Sequence, residues 1–214
     1  MSIGPKLRML LSISSPSIVE TAAELTDEML QFAGAHKDDY LRLLADRNGF
    51  YAFESALHVF GCGESELDIS VNQWNSEHSW RQGYNEKTEN RLFFAEDVFG
   101  GQFCLMNDKI YTFDPETGNS EYLADDYEHW AQLLLKDFDL LTGYPLAREW
   151  QEQNGPIPIG RRLYPKLPFF LGGEFAIENL YCGDPLERMR FSAEIARQVA
   201  DLPDGAEFKF KFTE

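Results

Sequence analysis

Basic residues are scarce in this chain. Nineteen Lys and Arg stand against 36 Asp and Glu, a formal net charge of −17. Nucleic acid and anionic lipid are both held by Lys and Arg neutralising phosphate, so neither is an expected partner. Cysteine is scarce as well. Cys62, Cys104 and Cys182 are odd in number and widely spaced, which does not make a disulfide framework and suits a reducing cytoplasm. Long hydrophobic runs are missing: no stretch approaches the roughly 18 apolar residues of a membrane span. The apolar MLLSI near the start is shorter than the about 7–15-residue centre of a secretory signal. The expected location is therefore cytoplasmic.

What is present is material for a large core. Of 214 residues, 43% are hydrophobic and 14% aromatic. A chain of this size buries about 70% of the surface its unfolded form exposes, so it needs neither disulfide nor metal to fold. Ser17 and Glu20 have capping-box spacing, and Ile18, Ala22, Leu25, Met29 and Phe32 then mark one helical face, ended by Gly34. A second helix is expected over 37–47, burying Tyr40, Leu41 and Leu44. After a bend at Glu54-Ser55, a strand is expected over 56–60, and 62–91 reads as polar and irregular. Short aromatic runs separated by FGG, ND and PETGN then predict antiparallel strands near 92–96, 102–106, 109–113 and 119–123. A helix capped by Asp125 or Asp126 follows, lined by Trp130, Leu133, Leu134, Phe138 and Leu141 and stopped by Gly143. Pro145 suits the first turn of the next. The Pro- and Gly-rich GPIPIGRRLYPKLPFFLGG divides a core, 1–155, from a C-terminal extension, 156–214. In that extension EFAIENLY reads as a strand, Asp184-Pro185 opens a helix, and EFKFKF, with Phe208, Phe210 and Phe212 on one face, closes as a strand. The fold class is α+β, a curved antiparallel sheet with flanking helices.

Candidate chemistry is thin. The acidic stretch from Tyr111 to Tyr127 fails as a calcium loop. Counted from Asp114, Gly118 falls at position 5 and Asp125 at 12, where such a loop needs an oxygen ligand and a glutamate. A hairpin accounts for it instead, with Asp114-Pro115 opening a turn and Gly118-Asn119 returning the chain. Glu96 and Asp97 stand side by side at a strand end, where neighbours point to opposite faces and do not pair for acid–base work. The Gly-Gly pairs lack the Lys-Ser/Thr of a phosphate loop. His58 and Cys62 are four apart but in a strand, without a partner pair at metal spacing. Cys104 sits in QFCLM, an apparent core strand, as an inert thiol. No catalytic residue, metal or cofactor is expected.

Charge layout is more informative. Between Asp114 and Asp139 there are eight acids against Lys136, and between Glu64 and Asp97 eight against Arg81, Lys87 and Arg91. Both stretches flank the predicted sheet. They are expected to merge into an acidic surface that steers a basic protein, or to be a solvated face.

NGFYAFESALHVFG, LFFAEDVFGGQFCLMNDKIYTFDPETG and LADDYEHWAQLLL, in that order and spacing, resemble the core of the SUKH superfamily of the Smi/Knr cell-wall-assembly-regulator type. LPFFLGGEFAIENLY and RQVADLPDG are similar to the extension of a bacterial branch. The resemblance, from about Tyr40 to Asp204, implies an α+β fold without agreed catalytic residues. It also implies a protein-binding role, in bacteria largely that of immunity proteins that neutralise toxins. The expected function is a non-enzymatic module holding a basic toxin or effector domain. The expected contacts are Glu66, Asp68, Glu96, Asp97, Asp114, Glu116 and Asp125, with Trp74 as a possible anchor. The alternatives are a regulatory scaffold and, remotely, a hydrolase using Glu96 and Asp97.

Overall fold

The computed structural model describes residues 3–199. The expected strand at EFKFKF lies outside them. The chain opens with α1 (Pro5–Ser12), α2 (Asp27–Phe32) and α3 (Lys37–Asp46), then β1 (Phe50–Ala52), β2 (Leu57–Val59) and the short α4 (Val71–Trp74). The strands β3 (Leu92–Asp97), β4 (Gln102–Met106), β5 (Lys109–Asp114) and β6 (Asn119–Ala124) follow, then α5 (Tyr127–Lys136), α6 (Phe138–Thr142) and α7 (Tyr144–Asn154). A ribbon of β7 (Arg162–Pro165) and β8 (Leu180–Gly183) precedes α8 (Pro185–Val199). The fold is mixed α+β. Six antiparallel strands lie side by side in sequence order, and β7–β8 form a separate two-stranded sheet. Among the described residues no helix is long and apolar enough to cross a membrane.

Turn chemistry sets the meander. In the β5–β6 hairpin, Asp114 Oδ1 accepts from the Glu116 N–H at 2.8 Å and Oδ2 from the Thr117 hydroxyl at 2.7 Å. Gly118, at φ +69°, returns the chain where a side chain would be strained. The α5–α6 pair ends at Gly143, φ +70°, pressed against the Phe99 ring. The expected single helix there is broken at Asp137, and Asp126 is its cap, accepting from His129 N–H at 2.7 Å.

Both faces of the sheet are covered. On one, Trp130 of α5 meets Phe94 and Phe103 edge-on at 5.1 and 5.7 Å. On the other, Trp80 and Tyr84 meet Phe93 and Phe113 at 4.9 and 5.1 Å. A smaller cluster of Ala56, Val98, Ala147, Ile157, Leu163 and Leu180 joins β7–β8 to the sheet.

The N-terminal expectations are corrected. Residues 17–26 form no helix. Ser17 Oγ accepts from Asn48 N–H at 3.1 Å instead of capping, and Thr26 caps α2. The unexpected α1 is held by a remote cap: Glu128 accepts from Lys6 and Leu7 N–H at 2.6 and 3.0 Å. In α3 Leu43, not Leu41, is buried with Tyr40. The unexpected β1 pairs with β2, and α4 with a 3-10 segment at 81–88 orders the stretch read as irregular. In EFAIENLY only Leu180 and Tyr181 are strand, and the predicted boundary segment contributes β7.

Candidate functional site

A row of polar residues crosses the sheet beneath its aromatic layer. Tyr51, His58, Glu96 and Gln102 are successive cross-strand partners on β1 to β4, so they share one face. His58 Nδ1 lies 3.0 Å from Glu96 Oε1. Its Nε2 lies 2.8 Å from Asp68 Oδ2, an ion-pair contact outside hydrogen-bond angles. Arg162 of β7 donates from Nε to Glu96 Oε1 at 2.8 Å and from Nη1 to Ser55 O at 3.0 Å, with Tyr51 under its guanidinium at 4.8 Å. Tyr51 OH donates to Asp68 Oδ2 at 3.1 Å, and Gln102 bridges from Glu96 to Trp74 Nε1.

Burial sets the electrostatics of this cluster. Alone it would drive the His58 imidazolium to release its proton, but Asp68 and Glu96 outweigh it and hold the pKa above the ordinary histidine value. Burial would likewise raise the Glu96 and Asp68 carboxyls. Arg162 and His58 bring Glu96 below its usual range, and His58 does the same for Asp68. His58 and Arg162 thus face two carboxylates. Both ring nitrogens of His58 lie against acids, which leaves neither facing a ligand, so this cluster is a structural clasp between the sheet and β7.

Three expected contact residues are therefore corrected. Glu96 is buried in the clasp, and the Asp68 side chain, 4% exposed, serves it too. Trp74 is fully buried, stacked on Phe60 at 4.9 Å, so it is core rather than anchor. Glu66 is exposed and lines an open cleft of about 700 Å³ with Asp68, Arg161 and Asp184. Asp125 lies at the opposite end of the β5–β6 hairpin from Asp114, paired with Lys109 at 2.7 Å, which holds its carboxyl below the usual range.

Asp97, Asp114 and Glu116 do converge. They line a groove of about 580 Å³ between α6, the ends of β3–β6 and the loop at 165–175. Phe103 and Thr112 contribute its sheet wall, and Leu140, Phe99, Phe169, Phe170 and Phe175 its apolar sides. Leu140 and Phe175 are 78% and 68% exposed, unusual for large apolar side chains lining a cavity beside carboxylates. Phe169 stacks flat on Phe175 at 4.0 Å and meets Phe99 edge-on at 5.3 Å. Glu121 adds a fourth carboxylate, and no Lys, Arg or His is among the described residues that line it.

These carboxylates are not equivalent. Asp114 serves its turn. Glu116 accepts from Phe170 N–H at 3.1 Å, with Arg188 at 3.5 Å, yet burial leaves its carboxyl above the usual range. Asp97 points to the face opposite Glu96, as the strand alternation requires. Its Oδ1 accepts from Phe99 and Gly101 N–H at 2.7 and 2.8 Å, while Oδ2 has no partner among the described residues. It keeps some surface open to the groove, but protein atoms crowd it on the other sides. This burial pushes its pKa up to about 7, despite the two N–H donors.

The thiols offer no nucleophile in the groove. Burial pushes Cys104 up to about 12, and Cys62 Sγ donates to Ala23 O at 3.2 Å. Among the described residues no group of three or more His, Cys, Asp or Glu is arranged to hold a metal ion. The groove was half legible: the acids were, but Phe169 and Phe170 come from a segment that reads only as Pro- and Gly-rich connection, and Phe175 from one read as a strand.

Comparison with solved structures finds likeness to one described as the crystal structure of Atu4351 from Agrobacterium tumefaciens. It is 12% identical, covers 86% of each chain and has a TM-score of 0.56, a likeness of fold. No curated protein matches the sequence. Residues 43–143 match the model of a family described as "Protein of unknown function DUF2625", a span that takes in the whole six-stranded sheet, the His58–Glu96 pair and Asp97.

Proposed function

We propose that this chain is a non-enzymatic binding module that docks a basic polypeptide in the groove at one end of its sheet. The observation that carries this reading is the groove's composition: four carboxylates, exposed Phe175 and Leu140, and no cation among its described lining residues. Apolar sides supply desolvated contact area and the carboxylates select charge. The net charge of −17 adds long-range steering of a basic partner. The resemblance to SUKH proteins makes a toxin or effector domain the partner we favour, with the chain as its immunity protein. A regulatory scaffold would use the same groove for a basic host protein.

A second reading has one observation in its favour. A carboxyl with a pKa near 7 in a cleft is what a general acid needs. Against it, Glu96 faces the other side of the sheet, and Glu116 is tied to Phe170 and Arg188, so Asp97 has no free carboxylate neighbour with a fixed role.

The test is a salt-titrated capture from a lysate of the source cells, with the native protein beside a Glu121→Lys/Phe175→Ala variant. The reading expects one basic protein retained by the native chain, released as salt rises and lost from the variant. Equal retention by both would place the interface elsewhere and overturn it.

A further inference from the structure

The docking groove is not uniform along its length. Asp114 is consumed by the hairpin turn and Glu116 by Phe170 and Arg188. Asp97 alone combines a fixed position with an unshared oxygen. The turn that fixes it carries Phe99, whose ring joins the stacked Phe169 and Phe175. Resting on the docking reading, we infer that this end of the groove is a receptor for one arginine side chain of the partner. Asp97 takes the guanidinium, and Phe99, Phe169 and Phe175 take its stem and flat face.

The choice of arginine over lysine follows from the donors and walls present. Oδ1 already holds two backbone N–H groups, so Asp97 offers one oxygen to a ligand. An ammonium is a compact, strongly hydrated charge that gains little from aromatic walls to offset the loss of its water. A guanidinium is weakly hydrated, planar, and gains from lying over aromatic faces. The charges around Asp97 leave that place open to a cation. Glu96 lies behind it with Arg162, whose Nε is committed to Glu96. Asp114, Glu116 and Glu121 line the same groove, and all are acidic.

A proton is part of this exchange. In the free protein Asp97 titrates near 7, so at pH 6 most molecules carry it protonated. Binding a guanidinium favours the ionised form, releases that proton, and is disfavoured as pH falls. Affinity therefore rises from pH 6 to pH 8.

The experiment uses capped leucyl-X-leucine peptides with X arginine, lysine or uncharged citrulline. They are titrated into the full chain by calorimetry, with backbone amide shifts read by NMR. The arginine peptide is expected to shift the Phe99, Gly101 and Phe170 amides, and to bind at least about tenfold more tightly than the citrulline peptide. Asp97→Asn keeps the Oδ1 acceptor and is expected to erase both that preference and the rise with pH. Phe175→Ala, at an exposed position, is expected to weaken binding of the arginine peptide. Equal binding of arginine and citrulline, an unchanged preference in Asp97→Asn, or no shift in the groove would overturn the receptor. If that happens while Glu121→Lys/Phe175→Ala still abolishes partner capture, the docking reading survives alone. If capture is also unaffected, both fall.

Discussion

At Asp97 the free protein holds a carboxylate that its own surroundings disfavour. The folded-state pKa near 7 is raised above the unfolded value of about 3.9. The sign follows by linkage: the stabilising effect of the protonated form is complete below the unfolded value and is lost as pH rises through 7. Asp97→Asn removes this loss, so chemical denaturation should find it more stable than the native chain by on the order of 2 kcal/mol at pH 8. The two should converge at acid pH. Glu96, one residue earlier, behaves oppositely, because its charge is compensated. Arg162→Met leaves that buried carboxylate short of its guanidinium and should cost about 3–5 kcal/mol, whereas Glu96→Gln/Arg162→Met should cost less than Arg162→Met alone. A double-mutant cycle by denaturant unfolding checks both. The strand alternation that separates Glu96 from Asp97 can be read from two letters. The Arg162 that gives Glu96 its role lies 66 residues away and leaves no local mark.

Among the elements, those whose ends carry their own chemistry were legible. The strands β3 to β6 are bounded by Gly-Gly, Asn-Asp and the Asp114–Gly118 turn, and the observed limits differ from expectation by at most one residue at an end. Replacing Gly118 with Ala should test that dependence. The added Cβ would sit 2.9 Å from the Lys87 side chain in a left-handed conformation, costing about 1–2 kcal/mol of stability in urea unfolding. The N-terminal elements failed as predictions for the converse reason. The eight-residue α1 is capped by Glu128 from α5, over a separation of 121 and 122 residues. The helical spacing of Ile18, Ala22 and Leu25 belongs to extended chain, where Ile18 and Val19 N–H instead donate to Gly49 and Asn48 carbonyls at 3.0 and 3.1 Å. Apolar spacing was present, but backbone partners elsewhere in the fold overrode it.

For the whole molecule, the clasp and Asp97 together shape stability against pH. Glu96 and Asp68 have lowered pKa values, so their contribution is present above about pH 4 and disappears as pH falls through their folded values. His58 has a raised one; its contribution is complete below about 6.5 and is lost as pH rises through its folded value. Asp97 adds a loss on the same alkaline side. Thermal unfolding should therefore give a highest Tm in weakly acid solution, falling towards both pH 3 and pH 9. A flat profile from pH 5 to 9 would contradict the raised pKa of Asp97.

The clasp also orders events in time. Six strands that neighbour one another in sequence need no crossover, and β3 to β6, joined by short turns, can pair early, with β2 added across residues 60–91 before the ribosome has released the C-terminal third. At that moment His58, Asp68 and Glu96 are brought together with one cation for two acids. Their burial is balanced only when Arg162 arrives on β7. A nascent chain ending at 155 would therefore carry a paired but unsealed sheet, and Arg162 would be the charge the clasp waits for.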